Sequence, residues 1–229
     1  MKLKNFFIRF LKLFGIFFIF FYSWLFQLIP VIIFSISDKL LERESVNIIL
    51  GTFSSIMLGL ILFVIYKKDI IKEFRKFKNN LSDCFDKGLT CWVGGLFAMM
   101  VLNFIIGNLL GAGEAANEEA VQSMIDVLPF FMFINAGFLA PWNEELVFRK
   151  AVKEFFTNKW LYIFISGLLF GLAHVVGGTT SWVDWLYVLP YGGLGAAFAY
   201  AYYDTDTIFT PILFHMIHNV IILIFSIFL

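Results

Sequence analysis

The chain has 229 residues, 60% of them hydrophobic and 15% charged, with seventeen acids balancing seventeen bases and a mean hydropathy of +0.85. A soluble domain is nearer half apolar and a quarter charged, so this composition is that of an integral membrane protein. The balanced charge argues against a nucleic-acid partner, and the long unbroken apolar runs exclude a transmembrane barrel, whose strands read as short alternating segments.

The N-terminal stretch "MKLKNFFIRFLKLFGIFFIFFYSWLFQLIPVIIF" has a basic start and an apolar run without a small-residue cleavage site. It reads as a retained first span rather than a signal peptide. Arg9 and Lys12 mark its basic flank, where the helix can begin at the interface. A bilayer crossing needs about 20 apolar residues. On that measure the sequence predicts about seven spans, near 13–35, 46–66, 89–110, 128–150, 160–177, 185–203 and 208–229. The expected fold is all-α, a polytopic transmembrane helical bundle forming one integral membrane domain over 1–229, with a motif-bearing core at 128–229.

Orientation follows from lysine and arginine. The N-terminal flank carries Lys2, Lys4, Arg9 and Lys12, the expected 67–88 loop carries seven bases, and 150–159 carries Lys150, Lys153 and Lys159, fourteen in all. The other side has Lys39 and Arg43, and its expected 111–127 loop has four acids and no base. This predicts a multi-pass protein of the cell membrane with a cytoplasmic N-terminus and an external C-terminus. The basic 67–88 segment is expected to contact anionic lipid. Cys84 and Cys91, near the basic edge of a span, make neither a disulfide framework nor a metal-ligand spacing.

Three charges resist this sorting. In "NEELVFRK", Glu144, Glu145 and Arg149 fall at membrane depth, where a charge costs several kcal/mol unless it faces a wet cavity or a partner. Glu145 and Arg149 are four apart on a helix and can pair. Glu144 points about 100° away and has no cation nearby in sequence. A structural carboxylate is thereby separated from a free one, which in an apolar site can serve as a general base. A purely structural charge network is the alternative. Pro141 removes a backbone hydrogen bond just before the motif, predicting a kink and freed carbonyls. The chain's three histidines, His174, His215 and His218, all lie in predicted spans, and His215 shares a face with Asn219. Their depths agree with that of Glu144 only if the fourth helix continues to about Thr157. Lys150 and Lys153 would then lie in a cavity or at its rim.

Other features read as packing. The small-residue run "YGGLGAAFAYA", with Gly192, Ala196 and Ala199, predicts a close helix contact or room for a substrate backbone. Met99, Met100 and Met124 read as packing or interfacial residues, Asn103 and Asn108 as interhelical hydrogen-bonders, and Trp142 as a wall of the cavity.

"EELVFR" (Glu144, Glu145, Arg149), "FGLAH" (Phe170, His174) and "HMIHN" (His215, Asn219) stand in the order and spacing of the motifs of the CPBP intramembrane proteases, which include CAAX prenyl endopeptidases and bacteriocin-processing enzymes, also called the Abi family. The segment "GAAFAYAYYDTDTIFTPILFHMIHN" also resembles that family's last motif region. The resemblance covers residues 144–219. It implies a bundle with a water-filled, cytoplasm-facing cavity and peptide-bond hydrolysis inside it. It implies that Glu144 and His174 activate water, that His215 and Asn219 stabilise the oxyanion, and that Glu145, Arg149 and Phe170 support the site. The substrate expected is a membrane-associated peptide or lipidated protein, with peptide maturation or bacteriocin self-immunity as the setting. Seven spans are one fewer than the eukaryotic prenyl proteases have. No metal cofactor is favoured; zinc on Glu144, His174 and His215 is the alternative, although no HExxH motif is present. The rival functions are a non-enzymatic immunity or scaffold protein that binds a peptide or receptor, and a proton-coupled transporter, against which no inverted repeat is visible.

Overall fold

The computed structural model describes residues 2–111, 113, 115–179 and 181–228, and every regular element among them is helical. Glu114 and Leu229, inside two predicted segments, lie outside the described residues. Helix α1, Lys2–Phe21, is followed by a 3-10 turn, Ser23–Gln27, and by α2, Leu28–Ile33, bent by 51° from it. The bend falls at Tyr22, between α1 and the Ser23–Ile33 segment, and Pro30 lies in the first turn of α2, where a missing N–H is tolerated. A short α3, Asp38–Leu41, leads into α4, Glu44–Asn79.

At 36 residues α4 is about 54 Å long, well beyond the roughly 30 Å of a hydrocarbon core. Its basic C-terminal part is therefore helical, not the loop expected at 67–88. The chain turns at Asn80, whose amide donates to Lys76 O at 2.9 Å, and α5, Leu81–Phe104, begins at once and runs on as a π-helical turn, Ile105–Leu109. The expected 111–127 loop likewise contains a helix, α6, Ala116–Val127. Its apolar face packs Ile125 and Val121 against Ile48, Met132 and Leu223.

The fourth predicted span is helical from Pro129 to Phe155, in five pieces: α7 (Pro129–Ile134), a π turn (Asn135–Leu139), α8 (Ala140–Glu144), a longer π stretch (Glu145–Ala151) and α9 (Val152–Phe155). The longer helix that the site requires is thus present. Next come α10, Lys159–Val175, a 3-10 turn at Asp184–Tyr187, α11, Val188–Thr205, and α12, Phe209–Phe228. Among the described residues three helices are long and apolar enough to cross a membrane, Glu44–Asn79, Leu81–Leu109 and Phe209–Ile227, and the bent pair at the N-terminus makes a fourth. The 17-residue α10 is apolar but short, and α11 is rich in Gly, Ala and Tyr.

With no water to drive helices together in lipid, close approach of small residues does it. A methyl on Gly167 would come within 2.6 Å of Gly192 O and 2.9 Å of Ala196 Cβ, and one on Gly95 within 2.7 Å of Ala197 Cβ. Helix α11 is thereby clamped between α10 and α5, as the small-residue run led one to expect.

The basic end of the bundle is tied by Glu73 of α4. Its Oε1 accepts from Lys150 Nζ at 2.6 Å and from the Tyr202 hydroxyl at 3.1 Å, and its Oε2 accepts from Ile208 N at 2.7 Å. Thr207 Oγ1 donates to the Glu73 carbonyl at 3.1 Å. Lys150 is consequently buried in an ion pair, not at a cavity rim. Beside this knot Asp206, in the left-handed conformation that ends α11 (φ 51°), pairs with Lys153 at 2.9 Å and Lys76 at 3.1 Å. Partial burial pushes the Asp206 carboxyl up, but the hydrogen bonds from both lysines outweigh it and hold it below the usual carboxylate range. Glu73→Ala should strand Lys150 without its closest partner and cost about 2–4 kcal/mol. The thermal midpoint of the purified protein in detergent should fall, with Glu73→Gln intermediate.

Candidate active site

Three separate helical segments bring the motif residues to one place. Glu144 closes α8, His174 lies in the last turn of α10, and His215 and Asn219 lie in α12; all four line a cavity of about 770 Å³. The cavity is also walled by Ser55 and Leu58 of α4, Met99 of α5, Asn117 and Gln122 of α6, and Tyr191 and Leu194 of α11.

The two glutamates divide as their helical positions suggested. Glu145 is fully buried and Glu144 is 17% exposed toward the cavity. Glu145 Oε2 lies 3.1 Å from Arg149 Nε, an ion pair with both side chains at 0% exposure. The pair forms although the backbone here is π-helical rather than α-helical. The contact is close without the alignment of a hydrogen bond, and among the described residues none of the Arg149 nitrogens has a hydrogen-bond partner. The guanidinium instead lies over the Phe170 ring, 4.3 Å from its centroid, and 5.9 Å from that of Phe198. Aromatic faces are favourable surfaces for a desolvated cation.

The other Glu145 oxygen, Oε1, is 2.8 Å from His215 Nδ1. An ionised carboxylate only accepts, so His215 carries its proton on Nδ1 and turns Nε2 toward Glu144 Oε2, 3.7 Å away. His174 is set by the same logic. Its Nδ1 lies 2.9 Å from the Phe170 carbonyl, which can only accept, so Nδ1 is the donor and Nε2 keeps its lone pair. Ring stacking fixes both imidazoles: His174 between Phe170 at 4.2 Å and Tyr191 at 4.8 Å, His215 on Phe198 at 5.2 Å.

Asn219 Nδ2 donates to Ala136 O at 2.8 Å, in the π turn that precedes Pro141. In that turn Ala140 N bonds back five residues to Asn135 O, and the next donor in register would be Pro141, which has none. The carbonyl that the proline leaves free is thus taken by Asn219. One amide hydrogen is committed to the scaffold and one is left over.

Some expectations need correction. Trp142 packs toward Gly59, where a methyl would meet it at 3.4 Å, and 6.3 Å from Phe209, rather than lining the cavity. Asn108 bonds within its own helix, to Phe104 O at 3.3 Å. His218 lines the cavity and accepts from Trp92 Nε1 at 3.4 Å. Tyr191, which the sequence reading passed over, stacks on His174 and donates to Glu118 Oε1 at 3.2 Å. Its only sequence signal is its place at the start of the small-residue run. Among the described residues no three His, Cys, Asp or Glu side chains converge as a metal site, so Glu144, His174 and His215 as arranged do not form a zinc ligand set.

The chain matches the model of the "Type II CAAX prenyl endopeptidase Rce1-like" family over residues 126–221, the stretch that holds every motif. It is 26% identical over 173 residues to a Bacillus subtilis protein named membrane peptidase YdiL, covering 72% of this chain and 66% of that protein. It is 28% identical over 195 residues to the membrane-embedded CAAX protease MroQ of Staphylococcus aureus, covering 76% of this chain and 75% of that protein. A third relative is the UPF0177 protein YbdI of Lactococcus lactis, 27% identical over 130 residues, 52% of this chain and 66% of that one. No solved structure matches the chain.

The position of His174 depends on how closely α10 sits on α11. A methyl on Gly171 would lie 2.5 Å from the Val188 carbonyl, whereas one on Gly193 meets nothing within 4 Å. Gly171→Ala should cost about 1–3 kcal/mol of stability through overpacking against backbone. Gly193→Ala should leave the thermal midpoint unchanged.

Proposed function

We propose that this membrane protein, whose residues 126–221 match the Rce1-like CAAX prenyl endopeptidase family, hydrolyses a peptide bond of a membrane-associated peptide or protein inside its cavity. The observation that carries the reading is the gathering of Glu144, His174, His215 and Asn219 around one cavity, from helices far apart in sequence.

A water between Glu144 and His174 donates one hydrogen to the carboxylate and the other to His174 Nε2, whose lone pair is left free by the bond to Phe170 O. Glu144 takes the proton as the water oxygen bonds to the scissile carbonyl carbon. The carbonyl becomes a tetrahedral oxyanion, met by the spare Asn219 N–H and flanked by the His215 ring, which Glu145 holds in place through Nδ1. Collapse breaks the C–N bond, and the proton passes from Glu144 to the leaving amine. Glu145, Arg149 and Phe170 hold this set in place without touching substrate. No step is routed through a metal, because the donors as arranged do not converge on one.

In this reading the chain is one membrane domain of about seven spans, the three or four that length and hydropathy support plus the shorter, more polar helices around the site. Its N-terminus is cytoplasmic, on the strength of fourteen bases on one side against two on the other. Peptide maturation and self-immunity are the settings that the family resemblance suggests.

Glu144→Gln keeps the shape and removes the base. It should lower cleavage by at least about 10²–10⁴-fold while leaving the thermal midpoint near that of the parent. Comparing membrane proteomes of the variant and parent strains should reveal an uncleaved precursor. Equal proteomes and a retained phenotype would instead favour a peptide-binding scaffold. Treatment of the purified protein with a chelator should leave cleavage of that precursor intact.

A further inference from the structure

The family resemblance implies a cavity open to the cytoplasm, yet the charges and the walls of the cavity point the other way. The floor of the site faces the basic end and is closed. Leu146, Val147, Phe148 and Arg149, the residues just beyond the glutamates toward that end, are all 0% exposed. Phe148 is boxed by the rings of Phe17, Phe20 and Phe170 at 5.2–5.6 Å. Below them lies the Glu73 knot, which binds α4, the π stretch and the link between α11 and α12.

From the level of His215 the cavity extends away from that end. It is lined by Asn117, Glu118 and Gln122 of α6 and by Ser226 of α12. Helix α12 starts at Phe209 beside the knot, so Ser226, seventeen residues on, lies roughly 25 Å from it along the axis. The mouth therefore sits at the end that carries α6. There is no Lys or Arg between 88 and 148 or after 159. By the distribution of basic residues that end is the external face.

We infer that the cavity opens at the outer face of the membrane, past α6, and that its substrate is a peptide segment presented on that face. The substrate half of this inference rests on the hydrolase reading; the direction of access does not. Hydrolytic water also enters from outside, and the knot keeps the cytoplasmic side dry. Tyr187 and Tyr191 moor the rim, donating to Gly113 O (2.5 Å) and Glu118 Oε1 (3.2 Å).

Site-directed labelling tests this without any assay of activity. Cys84 and Cys91 are first replaced by serine; single cysteines are then placed at the mouth (Gln122→Cys, Ser226→Cys) and, separately, at the basic end (Lys78→Cys). A membrane-impermeant thiosulfonate applied to intact cells should modify the mouth cysteines, while Lys78→Cys should react only after permeabilisation. Mouth cysteines that react only after permeabilisation, or not at all, overturn the inference, as does Lys78→Cys reacting in intact cells. Cells whose Gln122→Cys has been blocked from outside should accumulate the same precursor as Glu144→Gln cells. If Glu144→Gln accumulates it and the blocked cells do not, outer access fails and the hydrolase reading stands. If neither accumulates it, the hydrolase reading and the substrate half fail together, and the direction of access is judged by labelling alone.

Discussion

One carboxylate organises the centre of this bundle. Glu145 is fully buried and shared between two partners, Arg149 on its own helix and His215 seventy residues away. A charge at that depth cannot stand alone, because desolvation costs several kcal/mol that only close opposite charge and hydrogen bonding offset. The pair thus sets where α12 lies against the π stretch, and it dictates which nitrogen of His215 faces the cavity. Arg149 has the weaker compensation. Its guanidinium is held by one carboxylate and by the Phe170 face, not by a full set of acceptors. Phe170 is then more than filler: it lies under the cation, against both imidazoles, and its own carbonyl fixes His174.

The second organising element is the irregular backbone around Pro141. π turns widen the helix and leave carbonyls without regular donors. In lipid such backbone is tolerated only where protein or a cavity satisfies it. Here Asn219 satisfies it from α12, which couples the amide of one motif to the helix carrying another. The motif residues are therefore tied to each other by scaffold bonds as well as by a shared cavity.

Much of this was legible in the sequence. The division between Glu144 and Glu145 followed from helical spacing, and the close contact of α10 with α11 from Gly192 and Ala196. That the fourth helix had to extend past Lys150 followed from matching the depths of Glu144 and His174. What the sequence hid depends on partners distant in the chain. Lys150 read as a rim residue because nothing nearby revealed that Glu73 would reach it, and the basic stretch 67–79 read as loop because charge was taken for solvent, although lysine and arginine are good helix formers. Trp142 was misplaced because a π stretch changes which face a residue presents. The outward opening we infer for the cavity could not be read from the sequence either, since it rests on contacts between residues far apart in the chain.

Glu144 is the residue whose position is hardest to account for structurally. Beside it Glu145 already neutralises Arg149 and anchors His215, so the network needs no second acid. An unneeded carboxylate at membrane depth is a standing cost, and a scaffold gains nothing by keeping it facing water. Its placement makes sense where a proton must be taken from water and returned to a leaving amine. A floor closed by Phe148 and the Glu73 knot fits the hydrolase we propose, since such an enzyme must admit water to one atom without opening a path through the membrane.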